Sequence, residues 1–144
     1  MISFLSEAIN LTPHSVDIFD ETGENKIWSF PSDGELRLKS AGEQLQVGEM
    51  QEGAVAVPLV KKQVFVGLDP GSKGYVKFME NDHGTFIVSM ATAQFLSATA
   101  DHERSSHRMM SLGARRILSP ATAPGFGVRD ATGAIIGCKA LEIY

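Results

Sequence analysis

Period-two alternation of apolar and polar positions dominates the first half of the chain and predicts short strands joined by tight turns. Residues 14–19 place Val16 and Ile18 on one face, and residues 26–30 return with Ile27, Trp28 and Phe30. Between them Glu21-Thr22-Gly23-Glu24-Asn25 supplies a turn, because glycine takes the positive φ that a tight reversal demands. The two segments read as a hairpin. Pro31-Ser32-Asp33-Gly34 is a second turn, and residues 35–39 alternate again, with Leu36 and Leu38 directed to a core and Arg37 away from it. Valine-rich runs at 54–60 and 64–68 follow, and Pro58 marks the first as an edge strand or a bulge. Asp69-Pro70-Gly71-Ser72-Lys73-Gly74 is the densest turn cluster. Residues 75–79 and 85–88 read as two more strands about the turn Asn81-Asp82-His83-Gly84.

At Ser89 the period changes. Residues 89–96 favour a helix capped by Ser89, with Met90, Ala93 and Leu96 on its buried face. The apolar stripe stops at Ser97, and the polar stretch 101–113, helix or loop, reads as a mobile excursion. Residues 115–118 are extended before Pro120, and 127–138 form strand, turn and strand. The expected fold is therefore α+β and mostly β: one domain over 1–144, an antiparallel sheet of short strands and hairpins, one or two helices, and no internal repeat.

Composition narrows the function classes. At 144 residues, 43% hydrophobic and 21% charged, the chain has an ordinary globular balance. A net charge of −4 speaks against general affinity for DNA, RNA or an anionic membrane, so an anionic ligand must meet a local cluster of arginines. One cysteine, Cys138, permits neither an internal disulfide nor a thiolate zinc site. The N-terminal segment has no basic region and carries Glu7, and no apolar run approaches the length of a bilayer. A cytoplasmic protein is the expectation.

Catalytic patterns fail one by one. His102-Glu103 and His107 are spaced five apart, whereas a zinc-protease helix needs its two histidines four apart. The 69–74 cluster lacks phosphate-loop spacing, and no helix is expected after it. Gly125-Phe126-Gly127 lacks a third glycine, no serine sits in G-x-S-x-G, and Cys138 follows Ile135 and Ile136 in an apolar strand that would bury it. Asn10 and Thr12 read as ties on the N-terminal segment, with His14 satisfying a nearby carbonyl. The arginines are different, because guanidinium grips phosphate bidentately. Arg37, Arg115, Arg116 and Arg129 are the candidates, although Arg129 beside Asp130 has a plainer reading as a local ion pair or a hydrogen bond that closes its turn.

Asn10-Leu11-Thr12-Pro13-His14, Phe86-Ile87-Val88-Ser89 and Val128-Arg129-Asp130 with Gly133, Ile136, Gly137 and Cys138 resemble, in that order, a family of small phage and prophage proteins. Gly34-Glu35-Leu36-Arg37 is one residue short of that family's second element, and 101–113 is longer than its counterpart. Within this neighbourhood the chain is similar to the phage anti-Thoeris signal sponges. The resemblance implies a β-rich protein of the infected host's cytoplasm that sequesters a cyclic nucleotide immune signal, a cyclic ADP-ribose isomer or similar, without cleaving it. It implies no enzyme activity, cofactor or metal, and homo-oligomers with pockets at subunit interfaces. By position Arg37 and Arg129 would contact phosphate. Asp130, Ser89, Arg115 and Arg116 complete the candidate ligand set. The alternative is a phage structural or protein-interaction module with no nucleotide ligand; a nucleotide hydrolase comes third.

Overall fold

The computed structural model describes residues 7–42, 45–62, 64–106 and 114–144, with side chains described outside 99–106. In chain order the elements are β1 (Ile9–Asn10), β2 (Val16–Phe19), β3 (Lys26–Phe30), β4 (Leu38–Ser40), β5 (Gln46–Glu52), β6 (Val55–Val60) and β7 (Phe65–Leu68). There follow α1 (Tyr75–Glu80), β8 (Thr85–Ile87), α2 (Met90–Ser106), β9 (Arg116–Pro120), β10 (Gly127–Arg129), β11 (Ile135–Cys138) and β12 (Leu141–Ile143). The fold is α+β and mostly β.

Three layers follow from period-two alternation in two central strands. One four-stranded sheet runs β1-β8-β9-β12, the other β10-β11-β2-β3. In the first, Phe86 and Ile117 point to one face and join Leu11, Leu36, Phe78, Val88, Ala93 and Leu96 in a core under both helices. Their neighbours Ile87 and Leu118 point to the other face, where they meet Val16, Phe30 and Cys138 of the second sheet. A sheet covered on both faces can use parallel pairing, which is rare where one face meets water. Accordingly β1–β8 and β8–β9 are parallel; β11–β2, in the outer sheet, is parallel too, while the hairpin partners and β9–β12 are antiparallel. Both four-stranded sheets are therefore mixed, a detail beyond the antiparallel expectation. Two antiparallel ribbons, β4–β7 and β5–β6, complete the chain.

Several elements depart from the sequence reading. Residues 75–79 form the helix α1 and not a strand: Tyr75 and Phe78, three apart, both turn inward, and the Phe78 ring packs 5.0 Å from Phe86. A helix thus does follow the 69–74 turn. Of the expected 35–39 strand only residues 38 and 39 pair with β7, in a strand that runs on to Ser40, because the backbone of 35–37 bonds to loops instead. Helix α2 continues to Ser106 past the end of its apolar stripe, so residues 101–106 are helical; 107–113 lie outside the described residues. Ala93 and Leu96 are buried as expected, but Met90 is exposed. Strands β1, β5 and β12 are additional. Pro58 does lie in the two-stranded β5–β6 ribbon, opposite Glu49. Among the described residues no helix is long and apolar enough to cross a membrane.

Candidate functional site

The site begins with a knot of hydrogen bonds around Asn10. Its side chain is fully buried and donates from Nδ2 to the carbonyls of His14 (2.9 Å) and Phe30 (2.8 Å), while Oδ1 accepts from Thr12 N at 3.0 Å and Thr12 Oγ1 at 2.6 Å. Burying an amide is tolerable only when it is satisfied this completely. Asn10 and Thr12 are thus the ties expected from the sequence; His14 contributes its own carbonyl, and its side chain is exposed. The knot extends into the next loop: Ser32 Oγ donates to Thr12 O at 2.6 Å, Asp33 N to Asn10 O at 2.8 Å, and Leu36 N to Leu11 O at 2.9 Å. Residues 32–37 are thereby fixed as one wall of a cleft.

Residues 71–73 form the opposite wall. Ser72 Oγ donates to Asp69 O at 2.7 Å and accepts from Arg37 N at 3.2 Å, while Gly74 N donates to Glu35 O at 2.9 Å. The walls meet backbone to backbone, which only glycine permits here. A Cβ on Gly74 would lie 2.6 Å from Gly34 O, and one on Gly34, whose φ is +107°, would lie 2.8 Å from Lys73 Cβ.

Between the walls is a cleft of about 640 Å³ lined by both loops and Pro13. Its charged groups are Asp33, Glu35, Arg37 and Lys73. Arg37 Nε lies 3.1 Å from Glu35 Oε1, with the arginine side chain 66% exposed, and Lys77 from α1 reaches Asp33 Oδ1 at 3.0 Å. Pairs this exposed hold weakly and can be exchanged for a ligand group. The salt bridge engages Nε, and most of the arginine side chain stays exposed.

The other candidate residues are placed elsewhere. Ser89 caps α2, its Oγ accepting from Thr92 N at 3.3 Å; Thr92 Oγ1 in turn donates to Leu36 O at 3.4 Å, one residue from Arg37. Arg115 lies over the Phe78 ring, 4.5 Å from its centroid, and Nε donates to the carbonyls of Phe78 (3.1 Å) and Asn81 (2.8 Å) at the end of α1. Burial lowers its pKa below the usual arginine value, opposed by Asp82. These contacts make it a helix cap. Arg116 lines a second cleft of about 470 Å³ with Glu7, Asn81, His83, Gly84, Thr85 and Ala114.

Arg129 and Asp130 stand together but far from this chemistry in the fold, in the other sheet. Arg129 Nη1 donates to Gly133 O at 2.7 Å, so the guanidinium closes its own turn. Asp130 Oδ1 accepts from Thr132 Oγ1 (2.6 Å), Thr132 N (2.9 Å) and Ala134 N (3.1 Å), and the Thr132 hydroxyl bond chiefly lowers its pKa. The same Asp-x-Thr-Gly turn joins β2 to β3, where Asp20 Oδ1 accepts from Thr22 Oγ1 at 2.6 Å and its pKa falls to about 2. This recurrence is a local repeat that sequence reading missed.

Cys138 is buried, and burial raises its pKa. Among the described residues no group of three or more His, Cys, Asp or Glu is arranged to hold a metal ion; His107 lies outside them. Lys73, which shares the cleft with Arg37, was overlooked because its turn was weighed only against a phosphate-loop spacing. No family model, curated protein or solved structure matches this chain.

Proposed function

We propose that the chain is a cytoplasmic anti-defence sponge that holds a cyclic nucleotide signal, of the cyclic ADP-ribose class, in the cleft of Arg37 and Lys73 without cleaving it. One observation carries the reading: a cleft of about 640 Å³ that sets two cations beside two carboxylates. That volume falls within the usual range for small-molecule pockets, about 300–1,000 Å³. A cyclic ADP-ribose isomer has the matching chemistry. Its pyrophosphate suits the exposed Arg37 side chain and the Lys73 ammonium, and its ribose hydroxyls can donate to Asp33 and Glu35 as nucleotide riboses donate to acidic residues. A plain anion would use only half of this cleft.

Arg129, Asp130, Ser89 and Arg115 are occupied in turns and caps, so in this reading they support the fold and Arg37 contacts the ligand. The test incubates a cyclic ADP-ribose isomer with excess protein in a chelator, removes unbound ligand, and then heat-denatures the protein. The expected result is depletion from solution followed by recovery of the same compound in the same amount. A new nucleotide product would establish an enzyme, and no depletion would leave the interaction module.

A further inference from the structure

We infer that Ser72 is the positioning residue of the cleft: its hydroxyl holds the backbones of Arg37 and Lys73 at a fixed spacing, so that the site selects two linked phosphates over a single one. The inference rests on the cleft as an anion site, the reading given above. Ser72 lines the cleft but is only 9% exposed. Its Oγ donates to Asp69 O at 2.7 Å and accepts from Arg37 N at 3.2 Å. A serine hydroxyl has one proton, and here Asp69 O takes it. The Ser72 backbone N–H also donates to Asp69 O, at 3.1 Å. With both donors engaged, Ser72 acts on a bound phosphate through its neighbours and not by contact.

Lys73 lies, in sequence, between two hydrogen bonds that cross the walls. On one side Arg37 N donates to Ser72 Oγ; on the other Gly74 N donates to Glu35 O at 2.9 Å. The second bond needs no side chain, whereas the first exists because residue 72 carries an acceptor. Arg37 O in turn accepts from Asp69 N at 2.8 Å, so Arg37 is held at its N–H by Ser72 and at its carbonyl by the residue to which Ser72 is bonded. The Lys73 stem is confined as well, since a Cβ on Gly34 would stand 2.8 Å from Lys73 Cβ. A serine that merely closed its own turn would need the Asp69 bond alone. The bond to Arg37 N spans 35 residues of sequence and ties that turn to the other cation. One phosphate can engage either cation, but the two phosphates of a diphosphate can engage Arg37 and Lys73 together. Spacing set before binding removes the cost of ordering two loops, and that gain falls on the two-point ligand.

Calorimetric titration of the full chain in phosphate-free buffer with a chelator, using inorganic pyrophosphate and inorganic phosphate as probes, reads the selectivity. Wild type should bind pyrophosphate roughly 10-fold or more tighter than phosphate, the effect of one additional charge-assisted contact. Ser72→Ala should lose most of that preference while its phosphate affinity stays near wild type. Ser72→Cys, close to serine in size but a weaker acceptor, should do the same and serves if alanine unsettles the fold. Adding Ser72→Ala to Lys73→Ala should bring no further loss for pyrophosphate. General loosening of the fold would instead weaken both anions and leave their ratio unchanged. An unchanged ratio in the Ser72 variants, a further loss in the double variant, or a wild type that binds both anions equally or neither would overturn the inference. A wild type that prefers pyrophosphate but takes up no cyclic ADP-ribose isomer would remove the sponge and keep the role of Ser72. Uptake of the isomer with a ratio independent of Ser72 would do the reverse.

Discussion

Gly74→Ala should loosen the two walls of the cleft, and opposing effects decide by how much. Gly74 has φ −84°, a right-handed conformation that alanine adopts freely. On backbone entropy alone the substitution would stabilise by about 0.4–1 kcal/mol. The new methyl, however, would lie 2.6 Å from Gly34 O and 2.9 Å from Leu36 N, both backbone atoms that cannot swing aside. Overpacking of this kind costs about 1–3 kcal/mol. Parting the walls also strains the Gly74 N–Glu35 O bond of 2.9 Å, worth about 0.5–1.5 kcal/mol. The clash wins, for a net loss of about 1–3 kcal/mol, or roughly 3–12 °C in Tm for a chain of this size. Differential scanning calorimetry reads it, with Gly48→Ala as the control, since nothing lies within 4 Å of a Cβ there. A Tm equal to or above wild type for Gly74→Ala would refute the close contact of the walls.

Arg115→Ala should lower stability by about 1–3 kcal/mol, since three carbonyls of the Phe78–Asn81 segment lose a charged donor and Phe78 loses its covering cation; urea denaturation measures it. Asp20 should titrate near pH 2 by NMR, against its ordinary value of 3.8, and Thr22→Ala should move the midpoint upward. Because the folded pKa is depressed, the stability tied to Asp20 is fully present above about pH 4 and is lost as pH falls towards 2. Gly137→Ala should disrupt the parallel β11–β2 pairing, because a Cβ would lie 2.5 Å from the Phe19 ring and 2.6 Å from Asp17 O, and should lower the Tm measurably.

Local pattern reveals hairpins well and tertiary pairing poorly. Val16–Phe19 and Lys26–Phe30 were legible because alternation and the Gly23 turn act within a few residues. Tyr75–Glu80 misled because a six-residue segment holding the β-favouring Tyr75, Val76 and Phe78 is too short to separate a period of two from one of 3.6; the Phe78 contact with Phe86 and the Arg115 cap, both distant in sequence, decide for helix. β5, which holds Gly48 and two glutamates, drew no strand reading and is ordered as a strand by its pairing with β6. Parallel registry, such as Ile87 beside Leu118, has no local signature at all. For the site, Arg37 was legible by residue type. Lys73 was not, since only the contact of Gly34 with Gly74 brings the two loops together. Arg129 is the converse case: the sequence left both a ligand role and turn closure open, and the fold places its guanidinium on Gly133 O.

Calorimetric titration of a cyclic ADP-ribose isomer into wild type, Arg37→Ala and Arg129→Ala tests the ligand claim most directly. Losing a charge-assisted contact to phosphate costs about 1.5–3 kcal/mol, so Arg37→Ala should raise Kd roughly 10- to 100-fold. Arg129→Ala should bind as wild type does, because its guanidinium serves the β10–β11 turn. Wild-type affinity in Arg37→Ala, or no binding heat from the wild-type protein, would contradict the cleft as the site of a sequestered nucleotide.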